Sequence, residues 1–200
     1  MTPLKLDSLF VCLESKDNTA RYNAFQTLLN ETEKKVSWIY NKWDILVKKL
    51  TDENSFQRSI GVMLLASLAK SDTEKRFSML IEDYLLRMYD EKFITARQCI
   101  QTAWKVAVED KAWCGKVIAA LEQTYYENVH NKTHANLIKL DVLASLNEIF
   151  RQTGDKKIHV QILSFIEEEN DVKIKKQLQK HFFSKTIPLG TRIIHVLTSN

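Results

Sequence analysis

The chain has 200 residues, 44% of them hydrophobic and 27% charged, with a formal net charge of +4. That is the composition of a single folded globular domain, which argues against a disordered chain and falls short of the strongly basic balance of a dedicated nucleic-acid binder. Four glycines and two prolines are too few for a turn-rich β fold, and Gly61, Gly115, Gly154 and Gly190 lie too far apart for a Rossmann or Walker A phosphate loop.

The N-terminal MTPLKLDSLFVCLESKD lacks the basic n-region and long apolar core of a signal peptide, and no stretch approaches the ~18 apolar residues that span a bilayer. The three cysteines, Cys12, Cys99 and Cys114, have no metal or disulfide spacing and fall in apolar helical stretches, where each is expected as a small buried hydrophobe. Together these features predict a cytoplasmic protein with no membrane association and no cofactor. The tripeptides at Asn30 and Asn131 then match the glycosylation pattern by chance.

Helical periodicity covers nearly the whole chain. The predicted helices run from Leu4 to Ser15, Thr19 to Asn30, Thr32 to Leu50, Ser55 to Lys70, Thr73 to Met88, Phe93 to Glu109, Ala112 to Asn128, Thr133 to Thr153, Lys156 to Glu169, and Val172 to Ser184. The third is the plainest, with Val36, Ile39, Trp43, Leu46 and Leu50 returning to one face. Ser71 and Glu74 have capping-box spacing, and Gly154 followed by Asp155 reads as a helix-ending glycine and the next N-cap. Connections this short lay neighbouring helices antiparallel, so the expected class is all-α, an α-α superhelix of about five helix pairs. Residues 1–187 would form it, and residues 188–200 a C-terminal tail, whose Ile193, Ile194, Val196 and Leu197 follow a Pro188 and Gly190 break and can either fold back as a cap or form a self-association edge.

The second helix of each pair repeats one theme: an acidic or amide turn, then a basic residue, then an apolar or small one. The segments are DNTARYNAFQTLL, DENSFQRSIGVMLL, DEKFITARQCIQTAW, NKTHANLIKLDVLASL and DVKIKKQLQKHF. Their basic residues, Arg21, Arg58, Arg97, Lys139 and Lys175, are separated by 37, 39, 42 and 36 residues, around the ~40-residue period of two-helix repeats. Three residues later come Ala24, Gly61, Ile100, Val142 and Leu178, and seven later Leu28, Leu65, Trp104, Leu146 and Phe182. On these residues the chain resembles the HEAT (armadillo-type) helical repeats over nearly its whole length; Asn131 stands where the pattern wants Asp, and the first-helix proline is largely missing. The resemblance implies a solenoid, and a polar ladder in which Asp17, Asp52, Asp90 and Asp171 meet Arg21, Arg58, Arg97 and Lys175. The alternative for these groups is a set of solvated surface charges.

No catalytic signature is present, so the expected function is a scaffold whose concave surface, lined by the second helices, binds a protein partner. Asn23, Gln26, Ser59, Gln98, Gln101 and Lys105 are the candidate contacts. Nucleic acid is the alternative partner, for two reasons. Positive charge concentrates after Asp171, where Lys173, Lys175, Lys176, Lys180, Lys185 and Arg192, beside Phe182 and Phe183, face one acid. The DNA alkylation repair glycosylases, moreover, are similar stacks of helix pairs with a basic groove, tryptophans and an acid, and Trp104, Glu109, Asp110 and Trp113 lie close here, near Arg97 and Lys105, although no motif beyond the repeat pattern is shared. His130 and His134, four apart, have helical metal-ligand spacing but no carboxylate or cysteine to complete a site. Trp43 and Trp104 lie on apolar stripes and are expected in the core, whereas Trp38 and Trp113, near helix starts, are the tryptophans expected to be partly exposed. Gly61 is expected at a close approach of two helices, where a bulky residue would force them apart.

Overall fold

A computed structural model describes residues 1–127 and 131–183, with the backbone alone at 131–133, 181 and 183. The described residues contain no strand and form ten α-helices packed against one another: α1 (Pro3–Leu13), α2 (Asn18–Glu31), α3 (Ile39–Lys49), α4 (Ser55–Leu68), α5 (Phe77–Leu85), α6 (Phe93–Ala107), α7 (Lys111–Glu127), α8 (Asn131–Thr153), α9 (Lys156–Glu168) and α10 (Val172–Phe183). Single 3-10 turns, Ala69–Ser71 and Leu86–Tyr89, continue α4 and α5. Residues 188–200, Lys185 and His130 lie outside the described residues.

Side-chain caps explain where most of these helices begin. Asp17 accepts from the amides of Thr19 and Ala20, Asn54 from Phe56, Asp155 from Lys157, and Asp171 from Lys173 and Ile174. Each satisfies amides that the first turn leaves without a helical partner, contributing ~1 kcal/mol. Gly154 ends α8 at a φ of 70°, a left-handed conformation that costs glycine little.

Two helices are shorter than their periodicity suggests. The segment expected as one helix from Thr32 begins only at Ile39, because the amide of Val36 is taken by the Ser71 hydroxyl at 3.0 Å. The Ser71–Glu74 capping box does not form. Asp72 caps instead, accepting from Arg76 and Phe77 at 3.1 and 2.7 Å, so α5 starts at Phe77 and Lys75 takes a positive φ of 57°. A carboxylate at Asp72 outcompetes the Ser71 hydroxyl for those amides.

The even-numbered helices pack in sequence, α2 on α4, α4 on α6, α6 on α8 and α8 on α10, and each also packs against a chain neighbour. Helix α4 is buried on every side from Gln57 to Leu68. Across it, α3 comes so close that Gly61 faces the Lys49 backbone. The odd-numbered helices are joined through aromatic rings: Trp43 meets Phe77 at 6.3 Å, Phe77 meets Trp113 at 5.5 Å, and Tyr125 stacks on Phe165 at 4.4 Å. Trp38 packs edge-on against Phe10 at 6.0 Å.

Candidate functional site

The basic residues of the repeat pattern are engaged within the fold. Arg58 on α4 forms a bidentate pair with Asp90, at 2.7 and 2.9 Å, and donates to the carbonyls of Asp52 and Glu53. Arg97 on α6 pairs with Asp141 on α8 at 2.5 and 3.1 Å, and Lys139 on α8 pairs with Glu169 just before α10. Each of these three reaches a carboxylate belonging to the next even-numbered unit. The acids that Arg97 and Lys139 meet are Asp141 and Glu169, since Asp171 is occupied as a cap and position 131 is Asn. Arg21 bonds the Ser15 carbonyl at 2.8 Å and the Asn18 side chain at 2.6 Å, with its guanidinium over the Phe56 ring, and Lys175 bonds the Glu167 carbonyl at 2.6 Å.

Electrostatics follow this pairing. Burial pushes the Asp90 carboxyl up, yet hydrogen bonds from Arg58 and the Lys92 amide, with the charges of Arg58 and Arg87, bring it below the ordinary Asp value. Glu169 balances the same way: burial raises it, and the Lys139 ammonium and Asp171 amide bring it below the usual range. The Arg58 guanidinium is held still more firmly protonated, first by its bond to Asp90.

Farther along the same helices a cleft of about 600 Å³ opens across α2, α4 and α6. Helix α2 contributes Gln26, Leu29 and Asn30; α4 contributes Met63 and Ser67; α6 contributes Gln101, Thr102, Trp104 and Lys105. Glu33, Lys35, Lys70, Val108, Glu109 and Gln152 complete the walls. Within it the Lys105 ammonium donates to the Ser67 hydroxyl at 3.1 Å and lies 5.9 Å from the Trp104 ring centre. Burial lowers its proton affinity, Glu33 raises it and Lys70 lowers it again; the net shift is downward. Lys70 in turn donates to the Glu33 carbonyl at 3.2 Å.

Of the six contacts expected from sequence, Gln26, Gln101 and Lys105 line this cleft, and Asn23 is exposed on α2 outside its lining. Ser59 and Gln98, expected on the open surface, are instead buried where α4 and α6 pack together, and the Ser59 hydroxyl meets that of Thr95 at 3.0 Å. The tryptophans are also reassigned. Trp38 and Trp113 are buried, the latter donating to the Ser78 hydroxyl at 3.1 Å, while Trp104 is half-buried and faces the cleft. The reason lies in packing: Trp113 joins the aromatic contacts between odd-numbered helices, whereas the position of Trp104 on α6 is where the floor of the cleft lies.

The cluster of Trp104, Glu109, Asp110 and Trp113 therefore divides. Trp104 and Glu109 line the cleft; Asp110 caps α7 through the Ala112 amide and pairs with Lys75 at 2.7 Å. His134 stacks on Phe93 at 4.5 Å. Among the described residues no group of three His, Cys, Asp or Glu side chains is placed to hold a metal ion. Burial raises the Cys99 and Cys114 thiols; Cys99 is buried and donates to the Tyr84 carbonyl at 3.3 Å, Cys12 and Cys114 are half-buried, and none of the three forms a disulfide. No helix among the described residues is long and apolar enough to cross a membrane.

Ser67, Lys70 and Glu33 belong to the site without having been singled out in the sequence. A signal for part of this region exists: Ser67, nine positions after Arg58, and Lys105, eight after Arg97, are polar residues inside the otherwise apolar stretches LLASLA and AWKVAV.

No protein-family model and no curated protein matches this chain.

Proposed function

We propose that the chain is a HEAT-like solenoid of about five antiparallel helix pairs and that it works as a non-catalytic scaffold, binding a protein partner on its concave side. The observation that carries this reading is the cleft across α2, α4 and α6, whose walls mix amide, hydroxyl, charged and apolar side chains from three successive second helices. Such a mixture, polar and charged groups around the apolar Leu29, Met63, Trp104 and Val108, suits a peptide surface. Repeat architectures use the same face in this way, because successive repeats present equivalent positions side by side.

A protein partner is favoured over nucleic acid by the state of the basic residues. Arg58, Arg97 and Lys139 are held by Asp90, Asp141 and Glu169, so they are not available as a row of phosphate contacts. The free cysteines agree with a cytoplasmic location.

The test is site-specific photo-cross-linking in cells, with benzoylphenylalanine placed at Gln26 or Gln101 in the cleft, or at the exposed Glu122 on α7. The reading expects the same partner protein to be captured from both cleft positions and not from Glu122. Capture from Glu122 with none from the cleft would contradict it.

A further inference from the structure

Among the described residues Lys105, like Arg21 and Lys175, has no carboxylate in an ion pair, but of these three cations on the even-numbered helices it is the one that lines the cleft. Arg58, Arg97 and Lys139 each meet a carboxylate, whereas among the described residues Lys105 makes no ion pair. An ammonium carries three donor protons. The Ser67 hydroxyl takes one, the Trp104 ring offers a weak electrostatic contact at 5.9 Å, and the neighbouring Lys70 repels. Glu33 attracts Lys105 without forming an ion pair with it, and a cation withdrawn from water with so little counter-charge weakens the fold, so the arrangement gains most from an anion that arrives from outside.

The walls narrow the chemistry of that anion. Lys35, Lys70 and Lys105 line the cleft together with Glu33 and Glu109. Two carboxylates beside three lysines oppose a phosphate chain, which brings a charge at every step, but tolerate a single carboxylate placed at Lys105. Leu29, Met63, Trp104 and Val108 supply apolar surface within the same cleft. We propose that Lys105 is the anion-receiving group of the cleft and that its occupant is a peptide segment presenting a carboxylate side chain next to an apolar one. The proposal rests on the reading of this cleft as a protein-binding site, and it adds the chemistry of what is bound.

The experiment measures fluorescence anisotropy of two labelled peptides, Gly-Ser-Glu-Leu-Glu-Leu-Ser-Gly and its amide counterpart Gly-Ser-Gln-Leu-Gln-Leu-Ser-Gly, with a short single-stranded oligonucleotide as a third probe. The full chain binds the acidic peptide about tenfold or more tightly than the amide peptide, the scale of one charge-assisted hydrogen bond. Lys105→Met abolishes that preference, and Lys48→Met, exposed on α3, leaves it in place. A second readout needs no variant: the acetylation rate of Lys105 in the wild-type chain, followed by mass spectrometry, falls when the acidic peptide is present. Equal binding of the two peptides, no binding of either, an unchanged Lys105 acetylation rate, or protection of Lys105 by the oligonucleotide and not by the acidic peptide would each overturn the proposal. If a partner still cross-links from Gln26 and Gln101, such a failure removes the carboxylate assignment alone. If those cross-links are also missing, the cleft is not a partner site at all.

Discussion

Gly61 offers a sharp energetic test of how α3 and α4 pack. A β-carbon built there would lie 2.8 Å from the β-carbon of Lys49, 3.2 Å from its carbonyl carbon and 3.3 Å from the Leu46 oxygen, where carbon atoms prefer ~3.5 to 4.0 Å. None of these atoms can swing aside: two are backbone, and the Lys49 β-carbon is fixed by the backbone whichever rotamer the side chain adopts. That side chain is itself buried against Gln57 and Glu14. Gly61→Ala thus sets a helix-propensity gain of ~1 kcal/mol against overpacking of ~1 to 3 kcal/mol, for a net loss of ~1 kcal/mol. Gly61→Leu gains a similar propensity but drives three more carbons into the same gap, and should lose ~3 kcal/mol. Gly115 is the internal control. It is exposed in the middle of α7, where an added β-carbon meets nothing within 4 Å, so Gly115→Ala should gain about 0.5 to 1 kcal/mol. Urea denaturation with unchanged m-values measures all three, and in a thermal scan each kcal/mol moves Tm by ~2 to 4 °C in a chain of this size. Gly61→Ala proving as stable as the wild type, while Gly115→Ala gains, would refute the close approach.

Three further outcomes follow from the charged groups. Asp90→Asn leaves Arg58 buried beside a neutral partner and should cost ~3 kcal/mol in urea denaturation, because the side chain of Asp90 is 1% exposed and that of Arg58 is 7% exposed. Since the fold holds Asp90 below its ordinary value of 3.8, the stability from this pair is complete above that pH and is lost as the pH falls through the folded value; the gap between wild type and Asp90→Asn should narrow there. Lys105 has the opposite sign: burial lowers its folded proton affinity below the ordinary 10.5, so the protonated form weakens the fold, and Lys105→Met should raise stability by up to about 1 kcal/mol at neutral pH. That gain should shrink in denaturation curves taken at alkaline pH, as the wild-type ammonium deprotonates.

Most of the helices were legible because their signals are local. The 3.6-residue periodicity marked all ten, Gly154 and Asp155 marked one boundary, and the small residue at Gly61 marked the tightest helix contact. The late starts of α3 and α5 were not legible, since they depend on Ser71 reaching Val36 across 35 positions and on Asp72 outcompeting its neighbour for two amides. The basic residues could be placed by their spacing, but not their partners: Asp141 and Glu169 sit off the turn positions, and only folding brings them opposite Arg97 and Lys139. Trp104 shares its position in the repeat with Leu28, Leu65 and Leu146, all fully buried, and periodicity alone places it in the core with them. It lines a cleft shared by α2, α4 and α6, a property of three helices that no single helix encodes.

The central claim concerns the face formed by the later turns of α2, α4 and α6. Hydrogen–deuterium exchange of the chain alone and in complex with its cross-linked partner tests it most directly. Exchange should slow in the segments containing Gln26, Ser67 and Lys105 and stay unchanged along α5 and α7. Protection along α5 and α7, with the α2, α4 and α6 segments unaltered, would contradict it.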